Sequence, residues 1–494
     1  MKRTICFLGA LLLCLIGAQG VFANVYASGV VCAGVTNGAA GSITYWLNEN
    51  ADSGVTIDIV SWEGAQPTVR TLTGPTTKGK HVVTFDGKDG SGTALPVGQY
   101  GVKITASDNG YSLWTQISSS TNATCMYSGQ DVAINNNSES PAFGRIYISN
   151  ATTGTPTVPT WYTGGSLKEG LYAFNPDQTY LEGLEGVFGY CTANATIGYP
   201  FPDYILNVQA NVSTSKGVTV DADDNVYLTD YANGREYLWR SDAAFSASSL
   251  VSLFTALSDP LVPAEKGHGN VIGCQVVGSG ADRILYYCDE DIIAAQGHAF
   301  MKAELGNKTS LDTPTMAGVE VVPPPAGSWV NLGDIAVDSA GNYYAQVYRW
   351  YTASKDALWK FAPDGTTVLW QLDNATYYTI YYGVGLDEAR NRVYIVQYQN
   401  QDDVASPSVL YQIDMTTGAE ISSYAMPPAG AVVSRGYRGC NVDAVGNVYV
   451  ISSLVETWLV LSPPDGPNSF VTWKNQPGPP APLAVQEKCW TLYQ

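Results

Sequence analysis

Histidine is nearly absent from this 494-residue chain, occurring only as His81, His268 and His298. A metal held by imidazoles from several parts of a fold therefore has too few ligands to draw on. Charged residues make up only 14%, too few for a coiled coil, while 45% hydrophobic residues are too many for a disordered chain. Basic residues are also scarce, 25 against 44 acidic ones for a formal charge of −19, which argues against nucleic acid as a partner. Beyond the N-terminal region no run approaches eighteen uninterrupted apolar residues, so no transmembrane span is expected. The sequence shows no zinc-type cysteine spacing, no C-x-x-C-H, no G-x-S-x-G and no P-loop. What it has is Gly (50), Tyr (32), Pro (26) and Trp (12), together with many Thr and Val. That composition points to an all-β protein of more than one packing unit.

Lys2 and Arg3 precede an apolar stretch from Ile5 to Ile16, followed by small residues and Val21-Phe22-Ala23. This reads as a secretory signal peptide over residues 1–23 and implies a secreted, extracellular or cell-surface protein. Seven cysteines lie beyond it: Cys32, Cys125, Cys191, Cys274, Cys288, Cys440 and Cys489. In an oxidising compartment they read first as disulfide partners. A hairpin turning at Gly278-Ser279-Gly280-Ala281 predicts a Cys274–Cys288 pair. Cys32–Cys125 and Cys440–Cys489 are expected as closures, and Cys191 is left over.

Alternating strands over 41–47, 55–60, 69–72, 81–85 and 100–106 predict a small β-sandwich within a domain at 28–125. Within it, Phe85-Asp86-Gly87-Lys88-Asp89-Gly90-Ser91-Gly92 and then Leu95-Pro96-Val97-Gly98-Gln99-Tyr100 form a distinctive run. Gly87, Gly90 and Gly92 suit positive φ, and Asp86 and Asp89 suit capping of turn amides. This run resembles the FlgD-type Ig-like domain, a resemblance that covers roughly residues 41–108 and implies a spacer module rather than a flagellar role.

From about residue 126 to 494 an internal repeat appears, with a C-terminal tail after it. Its first element reads Val220-Asp221-Ala222-Asp223-Asp224-Asn225-Val226-Tyr227, Val337-Asp338-Ser339-Ala340-Gly341-Asn342-Tyr343-Tyr344 and Val442-Asp443-Ala444-Val445-Gly446-Asn447-Val448-Tyr449. Another copy runs from Leu386 to Tyr394, with weaker ones at 134–147 and 276–285. A second element, such as Leu358-Trp359-Lys360-Phe361-Ala362-Pro363-Asp364-Gly365, follows each. Six alternations predict six four-stranded blades, with an insertion near 180–212 and seven blades as the alternative. The position four before the repeat's Asp is Asp131, Gly217, Gly273, Asp334, Gly383 and Gly439 in turn. The phrase resembles NHL-like six-bladed β-propellers. The expected fold is thus an Ig-like β-sandwich plus a six-bladed β-propeller.

The turn aspartates read as hairpin caps rather than calcium ligands, because the loop lacks the glycine and distal glutamate of an EF-hand. No metal and no cofactor are expected. Aromatic clusters at Trp161-Tyr162, around Trp350 and Tyr351, and around Tyr377 and Tyr378 offer rings for stacking on a glycan or anchoring a protein. Sequons occur at Asn122, Asn136, Asn150, Asn194, Asn211, Asn307 and Asn374. The favoured reading is a non-enzymatic binding or scaffold protein that presents propeller loops to a protein or glycan. The alternatives are an extracellular lyase or hydrolase using His268 or acidic loops, and a subunit of an extracellular assembly that includes a homo-oligomer.

Overall fold

The computed structural model describes residues 24–34, 40–167, 170–181, 215–232, 235–242, 251–252, 271–289, 299–308, 319–322, 331–348, 358–372, 383–397, 407–426, 436–476 and 491–492. These residues form an Ig-like β-sandwich and a six-bladed β-propeller, and no helix among them is long and apolar enough to cross a membrane.

One sandwich sheet pairs Ala27–Ala33, Gly41–Leu47 and Gly79–Phe85. The other runs Asn468–Lys474, Gly98–Asp108, Gly54–Ser61 and Thr68–Gly74. Alternation along each strand turns Ile43, Tyr45, Leu47, Ile57, Ile59, Val102 and Ile104 into one buried core. Each such aliphatic side chain contributes roughly 1.5–3 kcal/mol on full burial. The glycine-rich turn is fixed by Asp89, whose Oδ1 accepts from the amides of Ser91 (2.8 Å) and Thr93 (2.9 Å). These bonds, led by that from the Ser91 hydroxyl, hold its carboxyl below the usual range. Gly87 and Gly92 take positive φ (73° and 87°), as the pattern requires. Gly90 does not; its amide instead donates to Val69 O at 3.0 Å, which seats the turn on the neighbouring strand.

The six inner propeller strands are Gly129–Ile134, Ser215–Val220, Val271–Val277, Asn331–Val337, Val384–Asp387 and Tyr437–Val442. Each packs beside the next, and the sixth packs beside the first, so the ring closes at six blades. Large residues fill the wedges between sheets: Tyr286 and Tyr343 meet edge-on at 5.9 Å, and Phe174 lies 5.1 Å from Trp458.

The division expected at 125/126 is crossed twice. Thr115–Gln116 leaves the sandwich and pairs with Thr457–Ser462 as the outermost strand of blade 6. After blade 6 the chain returns, and Asn468–Lys474 pairs along Gly98–Asp108 as a sandwich strand. Propeller closure and sandwich completion thus each use chain from the other side of the boundary. A polar seam reinforces the exchange. Asn24 O accepts from Asn48 of the sandwich (2.9 Å) and from Asn447 of blade 6 (2.8 Å), and Tyr26 packs on Phe143 of blade 1 at 5.0 Å.

Candidate functional site at the propeller channel

The inner strands surround a cavity of about 420 Å³ on the propeller axis. Its geometry begins with a backbone irregularity. In blades 1, 2, 3, 4 and 6 the register of the inner strand shifts at the same place, between Gly129 and Val132, Ser215 and Val218, Val271 and Cys274, Leu332 and Asp334, and Tyr437 and Cys440. Such a bulge bends the strand and releases amides from the ladder. The released amides need partners, because a buried N–H left without one costs ~1–3 kcal/mol.

Side chains of the second strands supply some of them. Ser149 Oγ accepts from Asp131 N at 3.0 Å and donates to Lys216 O of blade 2. Thr229 Oγ1 accepts from Gly217 N at 2.7 Å and donates to Ile272 O of blade 3 at 2.8 Å. Gln346 of blade 4 accepts from Gly383 N of blade 5 at 3.0 Å. Asp131 and Asp334 supply four more. Asp131 Oδ1 accepts from Val132 N (2.8 Å) and Oδ2 from Val218 N of blade 2 (2.9 Å). Asp334 does the same with Ile335 N (2.9 Å) and Val384 N of blade 5 (3.0 Å). Every oxygen of the pair is committed to a backbone amide.

Burial pushes both carboxyls up, and the charge of Asp334 raises Asp131 further. Cys274 and Cys440 line the same cavity, their thiols raised by burial and by these carboxylates, so both stand as neutral thiols. At one end of the channel Gln130 Oε1 accepts from Arg438 and from Lys216 Nζ (3.5 Å). Asn136, Asn137, Asp221 and Glu388 line the cavity where the inner strands run out into their turns.

The turn aspartates are caps and inter-blade latches. Asp221 Oδ1 accepts from the amides of Asp223 (2.9 Å) and Asn225 (2.8 Å), and its Oδ2 accepts from Tyr227 OH (2.7 Å). Asp338 and Asp443 repeat the set with Asn342 and Tyr344, and with Asn447 and Tyr449. Blade 3 lacks this Asp, and its Arg283 instead reaches back to blade 2, placing Nε 2.8 Å from Asp221 Oδ2. Arg390 of blade 5 donates to Val445 O of blade 6. Blade 1 has Asn135 at the Asp position, which donates to Asp224 of blade 2 at 2.9 Å.

The expected cysteine pairs meet a different geometry. Cys274 stands opposite Tyr287, one residue short of Cys288, because the hairpin folds between residues 280 and 281, pairing Val277 with Ile284, rather than about residue 281. Neighbouring strand residues face opposite sides, so Cys274 lines the channel while Cys288 is buried between blades 3 and 4. Cys32 packs on the sandwich core and Cys125 bridges to Thr457 of blade 6, and no disulfide joins cysteines among the described residues. Cys489 and Cys191 lie outside the described residues, as do His268, His298, Trp350, Tyr351, Tyr377 and Tyr378. Trp161 and Tyr162 are described and are half-buried, packed against the cores of blades 6 and 1. Among the sequons, Asn150 is fully buried, its side chain bonded to Ser128 N (2.7 Å) and Thr152 O (2.9 Å), which leaves no amide for a glycan. Sequence reading located the collar positions but not their role; the Asp-for-Gly exchange at a fixed repeat position was the available signal.

Among curated proteins, none matches this chain in sequence. Similar solved structures include a structural genomics protein of unknown function from Bacteroides thetaiotaomicron (11% identity, 89% of this chain and 98% of that one, TM-score 0.41). PorZ of Porphyromonas gingivalis, a bacterial surface component of the type IX secretion system, aligns at 11% identity over 88% of this chain and 57% of its own, with a TM-score of 0.36. A family AA12 carbohydrate-active enzyme of Trichoderma reesei aligns at 10% identity over 73% and 97%, with a TM-score of 0.35. Residues 31–110 match the family model of the FlgD Ig-like domain.

Proposed function

We propose that this chain is a secreted, non-enzymatic binding or scaffold protein whose NHL-like propeller presents its loops to a protein or glycan partner. The observation that carries this reading is the exchange of strands between sandwich and propeller, with Thr115–Gln116 in blade 6 and Asn468–Lys474 in the sandwich. Two modules welded in this way hold their surfaces in a fixed relation, which lowers the ordering cost of binding. A hinged pair that closes over a reacting substrate would keep its modules separable. The channel carboxylates fit the same reading, since each of the four oxygens of Asp131 and Asp334 accepts from a backbone amide, so that these carboxylates join neighbouring blades.

The test has two parts. Expressed with residues 1–23, the chain should be recovered outside the cell, cleaved near Ala23. The secreted protein, screened against defined glycans and cell-surface proteins, should find a ligand whose affinity falls at least tenfold when Trp350, Tyr351, Tyr377 and Tyr378 are all replaced by Ala. Retention inside the cell, or binding indifferent to the four replacements, defeats the proposal.

A further inference from the structure

A second cavity, about 660 Å³, lies between the sandwich and blade 1 and shares none of the described residues with the channel. Its volume falls in the usual range for small-molecule sites. The sandwich contributes Trp46, Lys78 and Lys80, and the outer turn of blade 1 contributes Asp177, Gln178 and Tyr180.

Gln178 is the informative residue. It is only 3% exposed, and its backbone takes the left-handed conformation (φ 69°), rare for a residue with a side chain. Its Oε1 accepts from Lys78 Nζ at 2.8 Å and from Ser119 N at 3.3 Å. Both partners are donors, so the amide cannot be reversed and the other terminus must be the nitrogen. That nitrogen, Nε2, is buried with no hydrogen-bond partner. A donor held in this way at a cavity wall points to an acceptor that the ligand brings.

The surroundings say which kind. The Lys78 ammonium spends two of its hydrogens, on Gln178 Oε1 and on Ile117 O (3.0 Å), which leaves a third. The Lys80 ammonium stands 4.8 Å above the centre of the Trp46 ring. Among the described residues the lining carries two ammonium groups and an amide donor against one carboxylate, on a chain of charge −19. Those donors suit an oxyanion. Asp177 and the aromatic edges suit something more than an oxyanion: a ligand that also donates hydrogen bonds and offers apolar ring faces. An acidic peptide side chain has no donor of its own in that role, whereas sugar hydroxyls both donate and accept. We infer that the cleft between the sandwich and blade 1 binds a carboxylate-bearing saccharide, its carboxylate meeting Gln178 Nε2 and Lys78 and its ring lying along Trp46 and Tyr180.

Calorimetric titration of the full secreted protein with trigalacturonate, a neutral trisaccharide and triglutamate tests this. Trigalacturonate should bind at least tenfold more tightly than either of the others. Gln178→Glu keeps the oxygen that receives Lys78 and Ser119 but replaces the donor with an anion, and should weaken trigalacturonate at least tenfold with an unchanged unfolding midpoint. Replacing the four loop aromatics by Ala should leave it unchanged, which separates this cleft from the loop surface. On the unmutated protein, bound trigalacturonate should protect Lys78 and Lys80 from amine acylation as read by mass spectrometry, an answer that does not depend on any variant folding. The inference is overturned if trigalacturonate does not bind, if triglutamate binds as tightly, if Gln178→Glu binds equally well, or if neither lysine is protected.

Discussion

Blades 1 and 4 carry a carboxylate at the channel collar where blades 2, 3, 5 and 6 carry glycine, and the two arrangements solve one packing problem in opposite ways. A Cβ placed on Gly273 would stand 2.2 Å from Asp334 Oδ1, and one on Gly439 would stand 2.5 Å from Asp131 Cα. On Gly217 and Gly383 it would meet Ile272 O and Cys440 N, each at 2.3 Å. Each glycine therefore closes against the next blade, and the two aspartates occupy the aperture that the four glycines leave. Counting round the ring, the order is Asp, Gly, Gly and again Asp, Gly, Gly, with Cys274 and Cys440 following the last glycine of each half. The difference teaches that the collar has room for two carboxylates and no further side chain. It also shows that a carboxylate there does structural work, joining blade 1 to blade 2 and blade 4 to blade 5.

The sharpest way to break that comparison is to add one carbon to a glycine blade. Gly273→Ala and Gly439→Ala should each destabilise by ~3 kcal/mol, because the obstructing atoms include backbone that cannot rotate away. Thermal unfolding of purified variants checks this, and a change under one degree would show that the blades can spread. Removing the carboxylate from an aspartate blade should cost less. Asp131→Ala or Asp334→Ala should destabilise by ~2 kcal/mol each, through two amides that lose their acceptor while the channel offers them water. A double variant whose loss clearly exceeds the sum would show that repulsion between the two carboxylates across the channel offsets part of what the amide bonds contribute.

How far the sequence alone reaches is clear from these same residues. The alternation at 41–47 and the Asp-to-Tyr repeat spell out sandwich and blades, because strand period and turn chemistry are local properties. The exchanged strands are not local. Thr115–Gln116 and Asn468–Lys474 look like any short polar or alternating stretch, and only the closed ring decides which sheet each joins. Likewise the turn between Val277 and Ile284 is centred half a residue earlier than its Gly-Ser-Gly-Ala sequence suggests, which sets Cys274 against Tyr287 and not Cys288. Of the channel site, the repeat alignment exposed Asp131 and Asp334, while the bonds that occupy them depend on the neighbouring blade. Of the cleft, nothing was legible, since Trp46, Lys78 and Gln178 meet only when sandwich and propeller dock.

A smaller effect distinguishes the relay hydroxyls from the carboxylates. Thr229 spans blades 2 and 3 with one accepted and one donated bond, so Thr229→Val removes both while nearly preserving shape. The expected loss is ~1–1.5 kcal/mol, below that for Asp131→Ala, which leaves two amides without their acceptor where Thr229→Val leaves one. Chemical denaturation of the two variants side by side gives the ranking, and the reverse order would assign the joining of blades to the hydroxyl relay.

A last effect appears only as pH changes, and it contrasts the collar carboxylates with one that is less well served. Glu49 is buried, accepts from Tyr111 OH at 2.8 Å through Oε2, and has no hydrogen-bond partner at Oε1. Burial, ahead of that hydrogen bond, pushes its carboxyl up to about 8, and burial takes Asp443 to about 6. A carboxyl whose folded value lies above its unfolded value holds its proton more tightly in the folded state. Its contribution is therefore complete below the unfolded value and is lost as pH rises through the folded one. Stability should accordingly decline between about pH 4.5 and 8, the part above pH 6 belonging chiefly to Glu49. Glu49→Gln, which carries no proton to lose, should flatten the decline between pH 6.5 and 9 while leaving the midpoint at pH 5 within a degree or two. Differential scanning calorimetry at pH 5, 7 and 9 measures both, and a variant whose midpoint still falls as steeply above pH 6.5 would move the titration from Glu49 to the Asp131–Asp334 pair.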